Sequence, residues 1–160
     1  MIGRHILIHT PEPLSLLRKA WTDLTEGGIA VFQEYDFAVI HSPYPRCPLF
    51  ERTMRIFREF FCAVTPGDVG TRLFHLFLEA GFTAPDCRVE HPIDGGPDSP
   101  FYEWIAESMR TILPRAQALG MAQEAEVEID TLAQRLKEEA VSLRAGCPAP
   151  CMVGGFARKR

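Results

Sequence analysis

The chain has 160 residues, a formal net charge of −4 and 46% hydrophobic residues, which fits one globular domain with its own core. The slight acidity offers no basic surface to nucleic acid or to an anionic membrane, so neither is expected as a partner. Because the sequence lacks both a long apolar run and a signal-peptide pattern, it predicts a cytoplasmic protein without a membrane span.

The cysteines give no sign of a disulfide framework or a metal site. There are five of them, an odd number, and their spacing is irregular. The only close pair is "CPAPC" at residues 147–151, and no second Cys or His pair follows at zinc-ligand spacing. We therefore expect reduced thiols and no metal.

The first part of the chain predicts a strand end, a helix and a strand. A short strand at residues 1–2 runs into a loop that carries Arg4, His5 and His9. Thr10 and Pro11 are typical of a helix start, and the glycines at 27 and 28 are typical of its end. The continuous apolar run "IAVFQE" then predicts a central parallel strand that is buried on both faces.

The rest of the chain alternates helices with strands. A Pro-rich loop carrying His41 leads to a helix over residues 51–63, and Asp68 is placed to cap a second helix that ends at Gly81. Alternation over residues 86–93 predicts a strand. Further helices follow, one ended or kinked at Pro114 and one capped by Asp130, before a terminal strand "CMVGGFARKR". The pattern indicates an α/β layered fold with a narrow sheet.

Three stretches resemble the class I S-adenosylmethionine-dependent methyltransferases, and most closely their bacterial small-molecule branch. They are "GRHILIHTPEPLSLLRKAWTDLTEGGIAVFQEYDF", "DVGTRLFHLFLEAGF" and "CMVGGFARKR". The resemblance implies a partial Rossmann-like sheet made of strands four to seven, with the last strand antiparallel between its neighbours. Helices would lie on the faces of the sheet, and an added helical segment would occupy residues 98–143.

The sequence departs from that family in the turns that hold the cofactor. The family uses a Gly-rich turn after its first strand and an acidic residue after its second. No Gly-x-Gly turn joins a strand to a helix here. The resemblance therefore implies that residues 1–160 form a single C-terminal half-domain, truncated and not active alone. Its exposed inner strand predicts a homodimer or pairing with a missing N-terminal half.

The candidate site lies beyond the carboxyl ends of the parallel strands, where open α/β sheets bind ligands. By resemblance, Gly3, Arg4 and His5 lie beside S-adenosylmethionine and a small-molecule substrate. Either His5 or His9 is a candidate general base, because an imidazole titrates near neutral pH. Four residues are candidate substrate contacts: Gln33, Glu34, Tyr35 and, in a lid loop, His41. The structural alternative is that the histidines bond to backbone and the acidic groups are solvated strand-end charges.

Three functions stay open at this point. The first is a methyltransferase-like protein related to enzymes that methylate small molecules. The second is a non-enzymatic interaction half-domain that completes a partner chain. The third is a different small α/β enzyme that uses His5 or His9 together with Glu34.

Overall fold

The computed structural model describes residues 1–160 apart from the side chain of Glu124. The chain divides into two compact units. The first unit comprises Met1–Val39, Phe61–His91 and Pro150–Arg160, and the second comprises Ile40–Phe60 and Pro92–Ala149. No helix within the described part of the chain is long and apolar enough to cross a membrane.

The secondary structure is mixed α/β. Its strands are β1 (Ile2–Arg4), β2 (Ile29–Asp36), β3 (Thr83–Glu90), β4 (Ile93–Asp94), β5 (Cys147–Pro148) and β6 (Cys151–Arg158). Its α-helices are α1 (Pro13–Asp23), α2 (Pro48–Val64), α3 (Val69–Glu79), α4 (Phe101–Ala118), α5 (Glu124–Val127) and α6 (Leu132–Leu143). A 3-10 turn over Leu7–His9 follows β1.

The first unit contains a four-stranded sheet with the order β1-β2-β6-β3. The strands β1 and β2 run parallel, whereas β6 is antiparallel to both β2 and β3 and lies between them. The terminal strand predicted from the sequence is therefore present and antiparallel between its neighbours. The sheet is mostly antiparallel, with a single parallel pair at one edge.

The core of the first unit lies on one face of that sheet. Leu17 of α1 and Leu73 of α3 are fully buried, and the ring of Phe32 in β2 meets the ring of Phe77 in α3 edge-on at 6.1 Å. Gly70 allows α3 to approach closely, because a Cβ there would lie 2.8 Å from the Cβ of Asp36.

The opposite face of the sheet is open, which corrects the prediction that β2 is buried on both faces. Along β2, Ala30 and Phe32 are buried, while Ile29 and Val31 are 38% and 37% exposed. Phe156 of β6, opposite Val31 in the register, is 46% exposed. The run "IAVF" is apolar on both faces, but only one of them meets helices.

The second unit is mainly helical, as predicted for residues 98–143. Its core combines Phe50 and Met54 of α2, Ile105 and Met109 of α4, and Leu136 of α6, all nearly or fully buried. The short strands β4 and β5 pair antiparallel within this unit. Glu139 of α6 accepts hydrogen bonds from the backbone N–H groups of Leu49 and Phe50 at 2.9 and 3.0 Å, which caps the start of α2.

Several predicted element boundaries were wrong. The first helix starts at Pro13, since Thr10 bonds back to the Ile6 carbonyl at 2.7 Å instead of capping it. The helix α4 does not end at Pro114 but continues to Ala118, where burial of Leu113 and Ala116 offsets the lost backbone bond. The helix α6 is preceded by Thr131 rather than capped by Asp130.

Candidate functional site

The candidate site is built on the carboxyl ends of β1 and β2. Because these strands are parallel and adjacent, Arg4 is in register with Gln33, and the chain leaves both strands at the same edge of the sheet. The His5 N–H donates to the Gln33 carbonyl at 2.8 Å. The structure thus brings together Arg4, His5, Gln33 and Tyr35, all of which the sequence assigned to a site.

His5 is held in an unusual conformation at this edge. Its φ of +51° lies in the left-handed region, which is uncommon for a residue other than glycine and tends to mark functional positions. Its ring stacks on that of Tyr35, with centroids 4.1 Å apart and an interplanar angle of 23°. His5 Nε2 is shielded from solvent and has no hydrogen-bond partner among the described atoms.

Burial and charge both keep the His5 imidazole neutral. Desolvation is the largest effect that lowers the pKa of His5, followed by the positive charge of Arg4; the Glu34 carboxylate opposes them, and His9 adds a small lowering effect. A neutral ring has one nitrogen that accepts a hydrogen bond. At neutral pH the His5 imidazole is therefore uncharged and can accept a proton.

Tyr35 is part of a row of aromatic rings that extends from the candidate site through the first unit. The ring of Tyr35 lies 5.7 Å from that of Phe37, which in turn stacks on Phe61 at 4.1 Å. Burial raises the pKa of the Tyr35 hydroxyl, so the phenol stays protonated at neutral pH. The row was missed in the sequence, because Phe61 is far from Tyr35 along the chain.

The Glu34 carboxylate accepts hydrogen bonds from backbone N–H groups. Glu34 is fully buried, and its Oε1 accepts the N–H groups of Ile6 and Leu7 at 3.1 and 3.0 Å while Oε2 accepts that of Ile8 at 3.2 Å. These bonds cap the 3-10 turn over Leu7–His9, which is separated from His5 by a single residue. The carboxylate is therefore not the solvated strand-end charge of the structural alternative.

Asp36, two residues after Glu34 in β2, also accepts hydrogen bonds from backbone N–H groups. It too is fully buried, and its carboxylate accepts the N–H groups of Thr71 in α3 and of Ala38. Asp68, which the sequence placed as the cap of α3, occupies the cap position but makes no capping bond with its side chain. The carboxylate that caps α3 comes from a strand 35 residues away.

The remaining candidates are placed differently. His9 ends the 3-10 turn and is exposed. Close packing explains the glycine at position 3, because a Cβ there would lie 2.5 Å from the Phe32 ring. His41 belongs to the second unit, where it lines a cavity of its own with Ser42, Glu51, Arg52 and Arg55.

No disulfide joins the described cysteines. Cys47 and Cys147 are both fully buried in the second unit. Desolvation, reinforced by Cys47, raises the pKa of the Cys147 thiol to about 12, so this thiol is inert as a nucleophile at neutral pH. Among the described residues, no group of three or more Cys, His, Asp or Glu side chains is arranged to hold a metal ion.

The sequence matches no protein-family model and no curated protein. Among solved structures, the chain is similar to phosphoethanolamine N-methyltransferase 2 of Haemonchus contortus, in complex with phosphomonomethylethanolamine and S-adenosylhomocysteine. The identity is 15% and the TM-score 0.44, over 99% of this chain and 32% of the other. The chain thus spans about a third of the length of that protein. A likeness of this degree leaves the activity to be argued from the residues of the chain itself.

Proposed function

We propose that this chain is the substrate-side half of a class I methyltransferase domain, related to enzymes that methylate small molecules. The observation that supports this most is the position of β6, antiparallel between β2 and β3. In this proposal β1, β2, β3 and β6 correspond to strands four, five, six and seven of the family sheet. The resemblance of the sequence to the family implies the same order.

The site residues fit the substrate side of such a reaction better than the cofactor side. The shielded, unpartnered His5 Nε2 would gain a hydrogen bond from a substrate hydroxyl or amine. The turns after β1 and β2, "HILIHTPEP" and "FAVIHSPYPRCP", contain no glycine, so neither can cradle a nucleotide-like group with its backbone. S-adenosylmethionine, when bound, would supply the methyl group, and the segment holding it would be a separate Gly-rich unit.

In this proposal the residues of the chain position a nucleophile and take its proton. His5 accepts the proton at Nε2, because burial and Arg4 keep the imidazole neutral. Tyr35 fixes the plane of the His5 ring by stacking on it. Glu34 acts through the backbone: it holds the turn after His5 in one conformation, and such positioning is a large part of methyl transfer. Gln33 is left to contact the substrate.

Calorimetry with S-adenosylhomocysteine tests this proposal. We expect no heat for the chain alone, and binding once it is mixed with a polypeptide that carries the Gly-rich βαβ unit of a class I methyltransferase. In the mixture, His5→Gln should abolish turnover while leaving cofactor binding unchanged. His75→Gln is the matched control, because His75 is exposed and lies 3.5 Å from the Glu79 carboxylate, away from the candidate site residues. Absence of cofactor binding both alone and in the mixture would refute the proposal.

The second candidate is a non-enzymatic half-domain that completes a partner chain, and the open sheet face favours it. A groove of about 530 Å³ runs over this face. Ile2, 83% exposed, and the half-exposed Val31 and Phe156 form its apolar part, and Arg4, Asp86, Arg88 and Glu90 supply charges along it. Parallel strand pairs are normally covered on both faces, so we infer an occupant that adds a parallel strand beside β1 and a helix over this face.

Light scattering of the same mixture separates the two candidates. A one-to-one complex that binds no S-adenosylhomocysteine would favour the interaction half-domain. Ile2→Lys should abolish the complex, because it places a charge on the apolar face of the edge strand β1. A stable homodimer that resists the added polypeptide would show a second copy to be the occupant and would contradict this inference.

A further inference from the structure

The second unit contains a cavity whose lining is rich in arginine. The cavity has a volume of about 370 Å³ and lies between residues 40–42 and the first turns of α2. Its polar lining comprises His41, Ser42, Glu51, Arg52 and Arg55. Arg52 and Arg55 are three residues apart on α2 and therefore share one face of the helix.

The only carboxylate in this lining, that of Glu51, is already paired with an arginine. Nε and Nη2 of Arg46 donate to the two carboxylate oxygens of Glu51 at 2.9 and 2.6 Å. That hydrogen-bonded pair lowers the pKa of Glu51, so its negative charge persists but is matched by Arg46. Glu51 is thus unavailable as the counter-charge for the other two arginines.

Arg52 and Arg55 are left without such a partner. Both are exposed, and within the described part of the chain neither guanidinium makes a hydrogen bond or an ion pair with a side chain. With Arg46 and Glu51 cancelling, the cavity holds two uncompensated positive charges. Two guanidiniums present planar pairs of N–H donors, which suit the oxygens of a phosphate better than a point charge does.

We propose that this cavity binds a small phosphate monoester. A monoester carries close to two negative charges at neutral pH, which balance Arg52 and Arg55, whereas a carboxylate would leave one of them unmatched. The Ser42 hydroxyl is a further donor at the cavity wall. Ile40 and Met54, which also line the cavity, form an apolar wall for the carbon part of the ester. The proposal is independent of methyl transfer, since it involves only residues of the second unit.

Calorimetry with phenyl phosphate, inorganic phosphate and benzoate tests the site without any cofactor. We expect saturable binding of phenyl phosphate, weaker binding of inorganic phosphate, and the weakest binding of benzoate. Arg52→Gln and Arg55→Gln should each weaken phenyl phosphate binding by about tenfold or more, which is the loss of one charge-assisted contact. Arg58→Gln is the matched control: Arg58 is exposed on the same helix but does not line the cavity.

Three results would overturn the proposal. The first is no saturable binding of phenyl phosphate up to concentrations on the order of 10 mM. The second is an equal loss of affinity in Arg58→Gln, since that would indicate general charge attraction rather than a site. The third is benzoate or inorganic phosphate binding as tightly as phenyl phosphate. Equal binding of benzoate would mean that the second negative charge contributes nothing, and equal binding of inorganic phosphate would mean that the carbon part of the ester contributes nothing. Because the arginines are exposed, unchanged thermal melts are expected for all three variants.

Discussion

Replacing Glu34 is the sharpest test of how the candidate site is held together. Its buried carboxylate accepts three consecutive backbone N–H groups, from Ile6, Leu7 and Ile8. Leu7 and Ile8 are themselves almost wholly buried, at 0% and 1% exposure. Water therefore cannot replace the carboxylate at these two donors, although it can reach the half-buried bond to Ile6.

The size of the effect follows from that count. A buried donor left without an acceptor costs about 1–3 kcal/mol. Two such donors, together with the small cavity, predict that Glu34→Ala lowers the free energy of unfolding by roughly 4 kcal/mol. Glu34→Gln retains one acceptor oxygen but turns an NH₂ group toward an N–H donor, so a loss of about 2 kcal/mol is expected. Both are large against a typical domain stability of about 5–15 kcal/mol.

Urea denaturation and amide hydrogen exchange measure these losses. We expect lower midpoints at unchanged m-values, and exchange at Leu7 and Ile8 accelerated by roughly 30-fold in Glu34→Gln. Glu26→Gln, at an exposed position, should stay within about 0.5 kcal/mol of the parent. If both Glu34 variants match that control and the two amides exchange at the parent rate, Glu34 does not hold this turn.

Three further predictions concern the same physical effects. The NMR titration midpoint of His5 should lie below 6.5 and should rise in Arg4→Gln. Because the pKa of His5 is lowered in the folded state, this histidine should reduce the free energy of unfolding as the pH falls below 6.5. A midpoint above 6.5 would contradict the effect of burial on the imidazole. Asp36→Asn should destabilise the fold by about 2 kcal/mol, seen as a lower urea midpoint, and should speed exchange at Thr71, which receives the cap; an unchanged amide would exclude this cap. Iodoacetamide at about pH 8 should modify the exposed Cys62 but spare the folded chain's Cys147 because of its high pKa; mass spectrometry showing equal labelling would disprove the protection.

Local sequence patterns predicted the positions of individual helices and strands better than they predicted which faces of the sheet are covered. The period of apolar residues located the helices α1, α2 and α3 to within a few residues, and the resemblance anticipated the antiparallel last strand. The open face of the sheet could not be predicted in this way. The run "IAVF" is apolar at every position, and such a run indicates burial on both faces, yet nothing in it specifies which segment covers the second face.

The candidate site was predicted in part because strand ends lie where parallel pairing places them. The sequence identified Arg4, His5 and Tyr35, which the structure brings together at one edge. The role of Glu34 was missed, although a signal existed: in a strand, Phe32, Glu34 and Asp36 must point to the same face, and Phe32 is clearly a core residue. Carboxylates on a buried face need donors, which the sequence alone does not locate.

The polar end of β2 is thus a structural edge that also makes a site possible. Glu34 and Asp36, on the buried face, hold the turn after β1 and the start of α3. Gln33 and Tyr35 point to the other face, where Tyr35 meets His5. Alternation along one strand therefore separates the residues that fix the backbone from those that form the candidate site. In the proposed reaction, a change at Glu34 should act only by moving His5, whereas a change at Tyr35 should act without unfolding the turn.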